Sequence, residues 1–291
     1  RFDFTIFFMD TDTDFIRLLP DHVLTTQLCP FFGFKDYALT GCASSYLQAH
    51  WQTANQQKPL PLYVPEDCST LKEAVKRVHE DNRLTTIVLG KGTHVVAVYQ
   101  DEYDNDINSL EILSAMNIVG DPKVPKSNLV VVGGVDFKEG IQGNCHLQHL
   151  TLRQATRSGV YGLSSFTMED VLVEQCGDDP ICGCPGVYAS GIGVTGRCTN
   201  VEVRDCEVGG VAAVNDASIT LIGDKTTVHH NCTQEGSNGY GLEVDDPSST
   251  IQLVAPLTKE QVSIDNGGYG NWGASENGDI NQIKTITKAE F

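Results

Sequence analysis

The sequence predicts a mainly β chain folded as a parallel β-helix solenoid of about seven to eight coils, capped by one amphipathic helix and preceded by a small helical region. Three observations carry this expectation. Short strand-like segments recur from Leu150 onward, each is followed by a Gly and a second strand-like segment, and a capped helical pattern stands upstream of the first strands. No helix is expected inside the repeats, so the strands must pair with their own copies in the next coil. A single coil cannot bury its inward side chains, whereas coils stacked about 4.8 Å apart pair every strand and bury a continuous core.

Residues 1–15 form an N-terminal extension, 16–52 a helical region, 53–66 a linker and 67–291 the solenoid. The run Phe2 to Met9 is interrupted by Asp3 and Thr5 and has no basic lead or small-residue cleavage site, so it does not read as a signal peptide. The chain opens on Arg1, which leaves a removed or missing targeting segment open. From Leu19 to Trp51, apolar residues fall into three short helical faces, with Pro20 suited to a first helical position and Gly33 separating the first helix from the second. The linker is marked by Pro59 and Pro61.

Over Ser69 to Asp81, Thr70 and Glu73 form a capping box, and Leu71, Ala74, Val75 and Val78 share one helix face. A strand, a Gly turn and a second strand start follow between Thr85 and His94, and the stretches 110–120 and 128–134 supply two further early coils. Five later segments then align, beginning at Leu150, Val171, Val201, Thr227 and Val262; the first two starts are 21 residues apart. Their fifth positions are Gln154, Gln175, Asp205, Asn231 and Asn266, expected at a corner where side chains bond to the coils above and below. Their sixth positions are Ala155, Cys176, Cys206, Cys232 and Gly267, which calls for small volume, and Cys serves there as a compact hydrophobe. The second strands start near Gly159, Gly186, Gly210, Gly241 and Gly270. A glycan on a stacked corner Asn would break the stack, so the sequon at Asn231-Cys232-Thr233 reads as accidental.

Two resemblances follow from these residues. An amphipathic helix leading into Ile87-Val88-Leu89-Gly90-Lys91-Gly92-Thr93-His94 resembles the entry to pectate-lyase-like right-handed β-helices, which implies that the helix plugs the open end of the core. The order of Leu19-Pro20, Val23-Leu24, Phe31-Phe32, Asp36, Cys42 and Trp51 resembles an F-box. An F-box joined to a β-helix is a combination of ubiquitin-ligase adaptors. It implies a non-enzymatic protein-interaction module in which Leu19, Pro20, Val23, Leu24, Leu28 and Phe31 dock on a Skp-type adaptor, while the β-helix recognises a protein substrate.

The pectate-lyase-like fold also hosts polysaccharide lyases, hydrolases and epimerases, so an enzyme is the alternative. No Arg of the repeats stands in the R-x-P-x-x-R context of the lyases. Of the carboxylate clusters of polygalacturonase-like enzymes, only Asp178-Asp179 is matched. An inverting pair needs carboxyl groups about 6.5 to 9.5 Å apart around a water, and no second member declares itself. In a carbohydrate-binding reading, Tyr188, Tyr240, Tyr269 and Trp272 would form a sugar platform; their bland role is packing at coil edges. A structural scaffold is the third alternative.

His229-His230 and the pair His146 and His149 are expected to point to opposite strand faces and not to converge on a metal. The acidic runs 10–14 and 101–106 fail the EF-hand pattern, so no cofactor is expected beyond adventitious Ca²⁺. With 38 Asp+Glu against 20 Lys+Arg, the net charge of -18 excludes phosphate-backbone binding and favours basic protein segments as partners. No apolar run approaches the roughly 18 residues of a membrane span. The ten cysteines include no CxxC pair. Read as reduced core thiols, they imply the cytoplasm or nucleus, with secretion left open by the N-terminus.

Overall fold

Apolar and polar residues alternate in the short segments, and that period of two makes them strands with one face buried. In the computed structural model, which describes residues 61–101, 104–178, 184–275 and 277–290, these strands fall into three parallel sets. The first set runs Leu62–Val64, Thr86–Leu89, Asn117–Gly120, the first half of Cys145–Arg153, the first half of Phe166–Glu174, Thr195–Thr199, Ser218–Ile222, Thr250–Val254 and Ile283–Ile286. The second set runs Gly92–Val95, Leu129–Val132, the second halves of the same two long strands, Glu202–Arg204, Thr227–His229 and Ser263–Ile264. The third runs Ser109–Ile112, Gly134–Phe137, Val160–Gly162, Val187–Ser190, Val211–Val214, Tyr240–Val244 and Gly270–Ala274.

The chain visits the sets in the order first, second, third and then returns to the first, so each strand pairs with its equivalent one round later. The outcome is a mainly β unit of long parallel sheets, compatible with a solenoid. Buried columns follow from the register. Leu62, Ile87, Ile118, Leu147, Met168, Cys198, Leu221 and Leu253 stack in the first set, and Val131, Leu152, Val173, Val203 and Val228 in the second. Phe166, stacked on Phe137 at 5.7 Å, is the large member of its layer. A Cβ on Gly162 would lie 2.4 Å from its ring, and one on Gly196 would lie 2.8 Å from it, so both neighbouring rounds need Gly here.

The amphipathic helix α1 spans Leu71–Glu80 and buries Leu71, Ala74, Val75 and Val78, the four residues predicted. It contacts the first two strands of the first set, at the N-terminal end of the array. Thr70 Oγ1 accepts from Glu73 N–H at 3.1 Å, while the Glu73 carboxylate takes the N–H and hydroxyl of Ser69 instead of the Thr70 N–H. A shorter helix, α2 (Lys259–Val262), precedes the last strand of the second set.

The corner columns differ from the expected alignment by one residue in the last two repeats. Strand register pairs Arg204 with His229 and His229 with Ile264. The corner therefore contains Gln154, Gln175, Asp205, His230 and Asp265, all left-handed with φ between 52° and 55°. The following column turns inward and holds Ala155, Cys176, Cys206, Asn231 and Asn266, so Cys232 and Gly267 are not its members. Asn takes the place of a small residue there because it bonds the backbone around it. Asn231 Oδ1 accepts from Cys206 N–H, and Asn231 Nδ2 donates to Asn266 Oδ1 at 2.9 Å. Asn231 is 1% exposed.

Cys68, Cys145, Cys176, Cys198, Cys206 and Cys232 are free and buried. Burial pushes the Cys198 thiol up to about 12 and the Cys145 thiol up to about 11, which keeps them protonated and inert. Cys184, by contrast, is disulfide-bonded, so the reading of the thiols as uniformly reduced does not extend to it. Among the described residues no helix is long and apolar enough to cross a membrane.

Candidate functional site

Alternation in the third set buries Leu110, Val135, Val160, Val187, Val211 and Leu242 and turns the residue after each of them away from that core, although Ala212, after Val211, is itself covered at 4% exposed. In register, the outward row reads Glu111, Asp136, Tyr161, Tyr188, Ala212, Glu243 and Gly273. Acid flanks a tyrosine pair. The Tyr161 and Tyr188 rings stack at 4.9 Å with 10° between planes. Burial, followed by the Tyr161 neighbour, pushes the Tyr188 hydroxyl up to about 12, so it remains a donor at neutral pH.

At one end of the row Lys138 Nζ bridges Asp136 at 2.6 Å and Glu111 at 2.9 Å. Asp136 Oδ1 is buried without a hydrogen-bond partner, and burial lifts the Asp136 carboxyl above its ordinary range despite the lysine. Arg157 reaches Asp101 at 2.6 Å, pinning the Tyr99–Gln100 and Asp106–Ile107 hairpin beside this end. The other end carries Glu243, which burial also pushes up, and Asp245, which accepts from Ser275 Oγ at 2.9 Å.

A second feature lies at the turn between the second and third sets. A cleft of about 370 Å³ is lined by Gln154, Thr156, Gln175, Asp178, Asp205 and Glu207. Burial and then the charge of Asp178 raise the Glu207 carboxyl. Asp178 is exposed and gains Asp205 and Glu207 as neighbours, which its position beside Asp179 did not announce. The signal was available only as the corner column, because Asp205 and Glu207 lie a full round away in sequence. Asp179 lies outside the described residues, as do Leu19, Pro20, Val23, Leu24, Leu28 and Phe31.

The four aromatic residues expected as a sugar platform are distributed as follows. Tyr188 has one face on Tyr161. Tyr240 and Tyr269 come together at 5.8 Å with a 57° tilt, and the Tyr240 ring occupies the space beside Gly273. Trp272 packs against the core with Lys259 Nζ 5.4 Å from its ring.

His229 and His230 correct an expectation. Their Nδ1 atoms approach to 2.7 Å, because the left-handed His230, at φ 55°, breaks the strand alternation that would send the rings apart. At that distance one nitrogen donates and the other accepts, while His229 Nε2 sits 3.4 Å from Glu202. His146 instead meets Thr167 Oγ1 at 2.7 Å, and His149 bonds Asp170 at 2.6 Å and the Val124 carbonyl at 2.8 Å. Among the described residues no group of three or more His, Cys, Asp or Glu is arranged to hold a metal.

The described part of the chain thus belongs, as a class, with mainly β proteins of long parallel sheets. Comparison with known proteins returns no matching family model, no matching curated protein and no matching solved structure.

Proposed function

We propose that this protein is a non-enzymatic interaction module whose strands close into a right-handed parallel β-helix of about seven full coils. The outward row of the third set acts as its recognition face for a basic protein segment. The observation that carries this reading is the row itself: Glu111 and Asp136 sharing Lys138 at one end, the stacked Tyr161 and Tyr188 in the middle, and Glu243 at the other. Carboxylates attract Lys and Arg, and tyrosine edges and hydroxyls add contact area with little rotamer cost. The F-box-like region 16–52 would dock on a Skp-type adaptor through Leu19, Pro20, Val23, Leu24, Leu28 and Phe31, making the whole a substrate adaptor of a ubiquitin ligase.

The test has two arms. Co-purification with a Skp-type adaptor is expected for the full chain and is lost on Leu19→Ala with Pro20→Ala; failure of the intact chain to retain the adaptor removes that half. An Arg-rich peptide should bind the full chain in fluorescence anisotropy, about tenfold more weakly after Glu243→Lys with Asp245→Lys. Equal binding by both proteins removes the other half.

A polysaccharide-active reading is favoured by the cleft holding Asp178, Asp205 and Glu207, where a raised carboxyl stands near a second one. Turnover of a uronate polymer, abolished by Glu207→Gln, is what that reading requires.

A further inference from the structure

An Asn followed by Gly loses its side-chain amide more readily than any other Asn, because a residue without a Cβ leaves its main-chain nitrogen open to the preceding Asn Cγ. The chain holds three such pairs, Asn238-Gly239, Asn266-Gly267 and Asn277-Gly278. Residue types alone rank them equally. The fold does not, since the reaction needs a free glycine nitrogen and an Asn side chain able to turn onto it.

Asn266 is held on both counts. Its Nδ2 donates to the carbonyls of Val228 and Ile264, each at 3.1 Å, and its Oδ1 accepts from the Asn231 N–H at 3.0 Å. The Gly267 N–H donates to the Asn231 carbonyl at 2.9 Å. Asn277 is exposed, but the Gly278 N–H closes a turn onto the Ser275 carbonyl at 2.8 Å. Asn238 differs from both. It is exposed, its side chain makes no hydrogen bond among the described residues, and the Gly239 N–H meets only Ser237 Oγ, at 3.4 Å.

We propose that Asn238 is a site of spontaneous deamidation, which turns the exposed segment before Tyr240 into one that carries isoaspartate. The Gly239 nitrogen bonds to Asn238 Cγ as the Cγ–Nδ2 bond breaks, and ammonia leaves with the proton from Gly239. Water then opens the cyclic imide. Opening at the Asn238 main-chain carbonyl gives isoaspartate, with the chain running through Cγ, and opening at Cγ gives aspartate. Nothing is oxidised or reduced, and water is the only co-reactant. The product strains its surroundings. A Cβ on Gly239 would run into the Val208 carbonyl, and the Gly239 carbonyl accepts from the Tyr269 N–H at 3.0 Å, so the segment has no slack for an extra main-chain atom. Isoaspartate therefore loosens the seat of Tyr240 and Tyr269, whose rings meet at 5.8 Å. Neither residues 16–52 nor the outward row of the third set takes part in the reaction, so the site is independent of the function proposed above.

The experiment incubates the folded full chain in mildly alkaline buffer at body temperature and follows each Asn-Gly pair by mass-spectrometric peptide mapping. An isoaspartyl carboxyl methyltransferase labels the product, and a parallel sample in urea gives the rates without the fold. In urea the three pairs are expected to convert at similar rates. In the folded chain Asn238 is expected to convert about tenfold faster than Asn266 and several-fold faster than Asn277, because the hydrogen bonds at those two must open first. Asn238→Gln, a change at an exposed side chain, removes most of the label, whereas Asn277→Gln leaves it. Faster conversion of Asn266 or Asn277 than of Asn238 in the folded chain overturns the proposal. So does equal conversion of all three, or an Asn238 that stays intact while the urea sample is converted.

Discussion

Asn231 holds a buried corner with one side chain. Its Nδ2 lies 3.1 Å from the Val203 carbonyl and 2.9 Å from Asn266 Oδ1, and its Oδ1 takes the Cys206 N–H at 3.1 Å. Asn231→Ala leaves these groups without partners in the interior and is expected to cost about 2–3 kcal/mol in urea denaturation. Glu174 does similar work with charge. It is clamped between Arg153 Nε at 2.6 Å and Arg204 Nη2 at 2.7 Å, one from each neighbouring round. Burial works against the Glu174 charge, yet Arg204 and Arg153 outweigh it and hold the carboxyl below its ordinary range. A carboxyl lowered by folding contributes stability above its unfolded pKa and loses it as pH falls through the folded value. Glu174→Gln should therefore cost roughly 2 kcal/mol at pH 7, allowing for partial solvent screening of the two guanidinium groups. The gap closes toward about pH 3, which thermal melts at the two pH values check. Glu243 has the opposite sign. Burial raises it, so its contribution is complete below the unfolded pKa and is lost as pH rises through the folded one. Glu243→Gln is expected to raise the melting midpoint at pH 7 and to leave it unchanged near about pH 4.

Among the elements, α1 and the Phe166 layer decide most. The apolar face of α1 covers the first two strands of the first set, and its Thr70 cap satisfies the Glu73 N–H, so Thr70→Ala should cost about 1 kcal/mol. At the Phe166 layer the ring fills the space left by Gly162 and Gly196 in the adjoining rounds. Gly162→Ala would overpack it by about 3 kcal/mol. Phe166→Leu in that background should recover part of the loss, whereas Phe166→Leu alone should destabilise. A double-mutant cycle measured by denaturation decides; simple additivity of the two changes would mean that the ring and the glycine do not share one space. The strands were legible because apolar residues alternate in them, and α1 was legible because its cap and face are local. The His229-His230 contact was not, because a single left-handed residue at a corner redirects a side chain without any change in composition.

At the scale of the whole molecule, the parallel sets turn sequence distance into short spatial distance, since residues one round apart become neighbours across a strand pair. This brings Glu111 and Asp136 onto one lysine and Asp178 beside Glu207, and it sets Glu243 on the same outward face as Tyr188. Long-range attraction of a basic segment to such a face weakens with salt. Affinity for an Arg-rich peptide should fall several-fold between about 50 and 300 mM NaCl, and a salt-independent affinity would argue for an apolar contact instead.

By itself the sequence determined the repeat, the parallel pairing it demands, the buried face of α1 and the small volume at Ala155, Cys176 and Cys206. These follow from local periodicity and from residue size, both of which are written along the chain. Only the tertiary structure decided that Asn231 and Asn266 turn inward, that His230 and Asp265 take the corner, and that Tyr161, Tyr188 and the flanking carboxylates share one row. The reason is that strand register is set by the packing of whole rounds. A shift of one residue moves every side chain to another face, and residue types alone do not reveal which of two adjacent positions bends the chain.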